Sequence, residues 1–341
     1  MLVFPTHGPV GSKSVHRMST VGEEGPTNVT WTSLLVCPKD DGRLHASGSG
    51  GNEAPSSGHW SGTLTCGMCQ LAFEVEDGIA RFLGQDTEAL AGSPDKLHEA
   101  VARDVGASTY DERMPTYRNR LEIPPTLDAL DANADDIVAE LGCGTGRMTV
   151  LFLEAVRHVV AVDFSVASLV RLRERVHPKL REKLFLVHAD VARPPLAKGA
   201  YSKVASFQVL EHLPSAEERQ KCIVEARQLL REGTGTLTLS VYNWSTWKQY
   251  DAKRGRGDNA KKEGHHSTTP PIYYYNFEEP ELRELLEHAG FAVQKMSGLI
   301  LQVPGLLALG RFGAPIHRAL AKTRFGRRNG HLLLAHARAK G

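Results

Sequence analysis

The stretch Ile137-Val138-Ala139-Glu140-Leu141-Gly142-Cys143-Gly144-Thr145-Gly146 joins a buried-strand pattern to an acid and three glycines at alternate positions. Glycine has no Cβ and accepts positive φ, so such a turn lets the backbone approach a ligand closely. A second apolar run, His158 to Val162, ends in Asp163, where a carboxylate can accept hydrogen bonds from two vicinal ribose hydroxyls. The dinucleotide fingerprint needs its third glycine one residue later, where Arg147 stands, and has no need of Glu140. An ordinary tight strand-to-helix turn would account for the glycines alone. It does not account for their register with Asp163, with His188-Ala189-Asp190-Val191 and with the run Ala205 to Leu213 that contains Glu211-His212. Cys143 reads as a small filler, since no partner base for a nucleophile is identifiable.

These residues need a sheet to hold them. Ile137–Leu141, His158–Asp163, Leu184–Val187, Ala205–Val209 and Thr236–Val241 read as successive buried strands. Helices are expected over 145–155, over 166–176 behind an N-cap at Ser165, over 215–231, and from a capping box at Asn276 and Glu279 to Gly290. Phe291–Val293 and His331–His336 are candidates for a sixth and a seventh strand, with residues 299–328 inserted between them. The connection Tyr242 to Tyr275 is too long for a plain loop and carries Trp244, Trp247, Tyr250, His265-His266 and Tyr273 to Tyr275. Trp247 and Tyr274 are expected to contribute to an acceptor pocket at the carboxyl end of strand five.

Glu140 to Gly146 resembles the first motif of class I S-adenosylmethionine-dependent methyltransferases. Asp163, Asp190-Val191 and the turn through Gln208, Leu210, Glu211 and His212 resemble the motifs that follow it. The resemblance implies an α/β fold, a doubly wound, seven-stranded Rossmann-like sheet, with S-adenosyl-L-methionine as cofactor. It implies that Glu140 meets the methionine amino end, that Gly142, Gly144 and Gly146 form the backbone contact surface, and that Asp163 with Phe164 meets the ribose. Asp190 and Val191 would then meet adenine, with Gln208 and Leu210 near the methionine moiety. His212, at the predicted carboxyl end of strand four, is the candidate general base, with packing in the turn as its structural alternative.

A further constellation lies upstream. Cys37, then Cys66 and Cys69 in a CxxC knuckle, supply three thiolates with the spacing of a zinc ribbon. Asp40 stands where a fourth cysteine would complete the set, and either Asp40 or His45 could replace it. This block is similar to the small zinc-ribbon subunit that activates several tRNA and translation-factor methyltransferases, here fused in cis. Without the fourth thiolate the ribbon is expected to be a separate module that binds zinc weakly or not at all. The division that follows is residues 1–30 without regular structure, 31–86 ribbon-like, 87–125 a helical connector and cofactor lid, and 126–341 the methyltransferase domain.

Composition sets the outer bounds. The chain has 341 residues, 41% hydrophobic and 23% charged, which suits a globular fold with a substantial core. Five cysteines without a secreted framework, and no apolar run long enough for a signal-peptide core or a membrane span, point to a cytoplasmic protein. Met18 would also serve as a start, leaving the first 17 residues dispensable. The net charge of +2 hides an asymmetry, because no acid follows Glu287 while nine Lys and Arg residues do. That basic, partly apolar region reads as a solvated face, with phosphate or peripheral membrane contact as the alternative.

Three functions are compatible with these residues. The first is methyl transfer to a small, aromatic or lipophilic acceptor, motivated by the aromatic long connection. The second is a tRNA or protein methyltransferase, motivated by the ribbon and the basic C-terminal region. The third is a noncatalytic cofactor-binding activator, against which the intact glycines, Asp163 and Asp190 argue.

Overall fold

The structure, a computed structural model, describes residues 29–48, 60–83, 93–110, 112, 114–255, 261–301 and 310–341, with the side chains of 310–312 left out. The expectations for residues 1–28, and the parts of those for the ribbon at 49–59, the connector at 87–92, the long connection at 256–260 and the insertion at 302–309, lie outside these.

Four short strands come first: β1 (Leu44–Gly48), β2 (Gly62–Cys66), β3 (Ala72–Glu76) and β4 (Ile79–Arg81). Two helices, α1 (Pro94–Gly106) and α2 (Thr116–Leu130), lead to β5 (Ile137–Leu141). Then follow α3 (Thr149–Phe152), β6 (His158–Asp163), α4 (Val166–Arg175), β7 (Leu184–His188), β8 (Lys203–Phe207), α5 (Ala216–Leu229) and β9 (Thr236–Tyr242). The long connection holds α6 (Thr246–Lys253) and a hairpin of β10 (Glu263–His266) and β11 (Ile272–Tyr275). The chain ends with α7 (Glu279–His288), β12 (Phe291–Leu301), α8 (Gly310–Ala321), α9 (Arg324–Asn329) and β13 (Gly330–Ala339).

The main sheet runs β7-β6-β5-β8-β9-β13-β12, parallel except that β13 is antiparallel to both of its neighbours. Every residue of β5 is buried, as a strand covered on both faces requires. Its alternation divides the core: Ile137, Ala139 and Leu141 join one apolar cluster and Val138 the other. The topology reverses between β5 and β8, and in open α/β sheets ligands bind at the carboxyl ends beside such a reversal.

The ribbon does not stand apart. β4 pairs in parallel with β7, so β1 to β4 continue the main sheet to eleven strands. Trp31, Leu34, Leu44, Trp60 and Leu64 share one core cluster with Ile137, Val160 and Tyr201. Backbone bonds join the two parts, from Val36 to the Pro195 carbonyl and from Ala197 to that of Leu34. The fully buried Tyr201 hydroxyl also donates to the Leu34 carbonyl at 2.6 Å.

Other expectations change in detail. The helix over 145–155 begins four residues later, at Thr149, because Gly144 and Gly146 hold positive φ and cannot be helical. The capping box sits at Glu278 and Glu281 rather than at Asn276 and Glu279. The Asn276 amide faces the Lys261 and Lys262 carbonyls instead. The sixth strand runs to Leu301, well beyond Val293, with a bulge between Val293 and Lys295.

A shared core predicts shared unfolding. Tyr201→Phe removes one buried hydrogen bond, worth about 1 kcal/mol, and is expected to lower a single cooperative transition in scanning calorimetry. Two separable transitions would show that the ribbon folds independently.

Candidate active site

The turn after β5 is built on three left-handed glycines with different reasons to be glycine. At Gly142 (φ +76°) an added Cβ would lie 2.3 Å from Val209, and at Gly146 (φ +77°) it would lie 2.1 Å from Leu172. Those two serve packing as well as conformation. At Gly144 (φ +52°) a Cβ would meet nothing within 4 Å, so the turn there presents bare backbone to open space.

That space is a cavity of about 540 Å³, within the roughly 300–1,000 Å³ usual for small-molecule sites. Glu140, Gly142, Gly144, Asp163, Phe164 and Gln208 line it, as does Cys143. Gly146 and Leu210 do not. Asp190, Val191 and His212 line a small adjoining cavity that shares Glu99, Phe164 and Val209 with the larger one.

Asp163 ends β6 with its carboxylate aimed at the turn. It accepts from the Gly144 amide at 2.8 Å and the Ser165 amide at 2.9 Å, and burial raises its pKa to about 6. Ser165 caps α4 as expected. Glu140 is buried, accepts from Thr149 Oγ1 at 2.6 Å and is raised to about 8, chiefly by burial. Asp190 already has partners: Lys96 Nζ lies 2.7 Å from it and 2.5 Å from Glu218.

Gln208 follows β8 in a strained left-handed conformation (φ +61°). Its amide nitrogen donates to the buried Glu122 at 2.6 Å, and its oxygen accepts from Arg118. Glu122 also receives Arg147, which bonds Asn119 at 3.0 Å. The arginine that breaks the dinucleotide fingerprint thus ties the glycine turn to α2.

The cavity has a roof. Glu99, Arg103 and Val105 of α1 close one side, Tyr110 and Met114 the next, and Thr268, Thr269 and Ile272 of the β10–β11 hairpin the last. His265 Nε2 and Asp95 Oδ1 join the hairpin to α1 at 2.8 Å. Trp247 and Tyr274 do not line it: Trp247 packs against Tyr250 while partly exposed, and Tyr274 is buried against His266.

His212 is inside the protein, with Nδ1 2.8 Å from the Tyr273 carbonyl. A carbonyl only accepts, so Nδ1 carries the proton. Burial lowers the ring's pKa to about 3. His266 is lowered to about 4 and His331 to about 3, again by burial first. Glu211, next in sequence to His212, is fully buried with neither carboxylate oxygen hydrogen-bonded, and burial raises its pKa to about 8.

A methyltransferase-domain family model matches residues 138–233, from β5 through α5. A probable S-adenosylmethionine-dependent methyltransferase of Mycolicibacterium smegmatis is 28% identical over 162 residues, 48% of this chain and 54% of that one. The chain thus spans about half the length of that relative. Two solved structures have TM-scores of 0.50: the CcbJ methyltransferase of Streptomyces caelestis, 20% identical over 70% of this chain and 97% of its own, and a chain from a complex of the Haloferax volcanii Trm112 methyltransferase activator with a methyltransferase, 16% identical over 70% and 98%. The chain thus carries a methyltransferase domain similar to those of S-adenosylmethionine-dependent methyltransferases. Glu140, Gly142, Gly144, Asp163, Phe164 and Gln208 lie around the larger cavity and Asp190 and Val191 around the adjoining one, while α1 and the β10–β11 hairpin, on either side of the matched segment, supply further walls.

In the ribbon, the ligand atoms of Cys37, Asp40, Cys66 and Cys69 lie within 4.8 Å of one another. His45 is not among them. Cys37 and Cys69 Sγ are 3.6 Å apart, close to the edge of about 3.8 Å that a tetrahedron with zinc–sulfur bonds of about 2.3 Å would have. The Met68 and Cys69 amides donate to Cys66 Sγ. A Cβ on Gly42 would lie 2.6 Å from that sulfur and 2.8 Å from Asp40 Oδ1, so the group closes only around a glycine.

The buried acids set a pH dependence. Glu140 and Glu211 have folded values near 8 against an ordinary 4.5, so their stabilising contribution is fully present below about 4.5 and is lost as pH rises through 8. Above the ordinary histidine value of 6.5 the three depressed histidines are neutral folded or unfolded and add no slope. Stability should therefore fall from pH 6.5 to 8, by up to about 1.4 kcal/mol per acid per pH unit. Glu99, also raised by burial, adds to the same slope, and Glu211→Gln should make the decline shallower, read as Tm against pH.

Proposed function

We propose that this chain transfers the methyl group of S-adenosylmethionine to a small acceptor with apolar or aromatic surface. The walls carry the reading: α1 and the β10–β11 hairpin line the cavity on further sides, which suits an acceptor that enters it rather than one laid across an open face. When bound, the cofactor supplies a methyl group on a sulfonium, transferred by in-line displacement to a nucleophile. The protein's work is then alignment and exclusion of water.

Asp163 would accept from the ribose hydroxyls, Glu140 would face the methionine amino group, and Gly144 would allow backbone contact. Gly142 and Gly146 would keep the turn in shape. Asp190 and Val191 would meet adenine, with Lys96 sharing or yielding the carboxylate. Gln208, held by Arg118 and Glu122, would fix the methionine end; Leu210 would act from behind the wall. We assign His212 a positioning role, because its proton on Nδ1 fixes Tyr273 and with it the hairpin. Val209, Phe207, Met114, Tyr110 and Ile272 would offer the acceptor apolar contact.

A second reading, methylation of a tRNA or protein, is favoured by the ribbon and by the likeness to the complex that includes an activator. It requires the roof to open far enough for a polymer. We also read the boundaries as a ribbon over 31–86, a connector and lid over 87–125 and a methyltransferase domain over 126–341.

Asp163→Ala should weaken S-adenosylmethionine binding about tenfold or more, since each lost charge-assisted bond is worth about 1.5–3 kcal/mol; undiminished affinity by calorimetry would refute the assignment. Ile272→Ala should raise the KM for a small acceptor and leave cofactor affinity unchanged. If Lys253→Gln with Arg254→Gln instead abolishes methylation of an RNA while Ile272→Ala is silent, the second reading holds.

For the cysteine group we propose zinc held by three thiolates and the Asp40 carboxylate, exchangeable because one soft ligand is missing. Metal analysis should find one zinc per chain, removed by a chelator with a fall in Tm. Zinc-free protein of unchanged Tm would assign the ribbon's stability to its apolar core alone.

A further inference from the structure

The helices between β12 and β13 reverse the usual arrangement of small and large residues. α8 buries Gly313, His317 and Ala321, one turn apart, and leaves Pro315, Ile316 and Ala319 exposed. Ile316 is 49% exposed, and Phe325 in α9 is 50% exposed. An amphipathic helix on a soluble surface ordinarily buries its large apolar side chains.

The packing beneath explains how this is tolerated. A Cβ on Gly298 of β12 would lie 1.9 Å from the Gly326 carbonyl oxygen, and one on Gly326 would lie 2.2 Å from that of Leu320. His317 Nε2 accepts the Leu301 amide. The pair is held by backbone approach and a buried ring, so Ile316 and Phe325 are not needed for the core.

Around these two side chains stand Arg318, Lys322, Arg324 and Arg328, all exposed. Arg327 is set apart, paired with Glu279 at 2.8 Å. Among the described residues no carboxylate pairs with the other four, and the sequence has no acid after Glu287. Apolar groups ringed by cations fit a surface that is apolar below and anionic above.

We propose that α8 and α9 form a docking face for an anionic lipid bilayer, with Ile316 and Phe325 entering the acyl boundary and the four cations meeting the headgroups. RNA would use the cations and could stack a base on Phe325, but it would gain nothing from the aliphatic Ile316 and Pro315. The face does not depend on the acceptor assigned above. α8 packs on α2, which carries the Arg118 and Glu122 that hold Gln208, so an occupied face would lie one helix away from the cavity wall.

The test is flotation of the full chain with vesicles of phosphatidylcholine alone and of phosphatidylcholine with phosphatidylglycerol in equal parts. Binding is expected to the anionic vesicles only and to weaken with salt. Arg318→Gln and Arg328→Gln should each reduce it about fivefold, and Ile316→Asp with Phe325→Asp should abolish it. All four sites are exposed, and an unchanged Tm confirms the fold in each variant. Absence of binding to anionic vesicles, binding that survives the Ile316→Asp and Phe325→Asp changes, or binding to a short RNA but not to vesicles would overturn the proposal.

Discussion

The hydrogen bond from the Gly144 amide to the Asp163 carboxylate joins the ends of the two central strands at the point where the chain must turn back. It holds a loop that, with three left-handed residues in five positions, has no helical register to fall into. Because Gly142 abuts Val209 and Gly146 abuts Leu172, the same loop locates the turn after β8 and the second half of α4. Shifting the loop would misplace every wall of the cavity except the roof. The buried carboxylate bears that duty while remaining available to a ligand.

The other walls depend on charge buried in pairs. Glu122 gathers Arg118, Arg147 and Gln208. Glu99 and Arg103 face each other one turn apart on α1 at 2.9 Å. Removing one member of such a pair leaves an uncompensated charge in a poorly solvated place, which costs more than the pair contributes. α1 is further anchored where Asp104 accepts from Ser165 Oγ and the Ala167 amide at the N-terminus of α4. The roof is thus tied to the elements that carry Asp163.

Glu140, the three glycines, Asp163 and Asp190 are legible in sequence because their work is local: a strand end, a sharp turn, an acid in a fixed place. The seven main strands follow from the same apolar runs. α2 is harder, because Pro124 and Pro125 lie inside it and deprive the helix of two amide donors. β12 is cut short in a reading by alternation, since the bulge at Val293 and Lys295 breaks the period. Glu99 and Tyr110 belong to the segment expected as a lid, but they, Thr268 and Ile272 join the cavity through contacts between distant segments, and no spacing within any one segment announces these residues individually. Arg147 was visible as an exception to a pattern, but its link to α2 exists only in three dimensions.

The addition of β1 to β4 beside β7 has a consequence for the life of the chain outside its folded state. Seven strands alone would leave the apolar edge strand β7, Leu-Phe-Leu-Val-His, open, a row of amides and carbonyls able to recruit another molecule's strand. The ribbon moves that edge outward to β1, a strand of the same length but of sequence Leu-His-Ala-Ser-Gly, too polar to template much. At the opposite end, β12 is overlaid by α8 and α9. Both flanks of the sheet are thereby closed to self-association, and a chain caught before its ribbon has docked would be the aggregation-prone form.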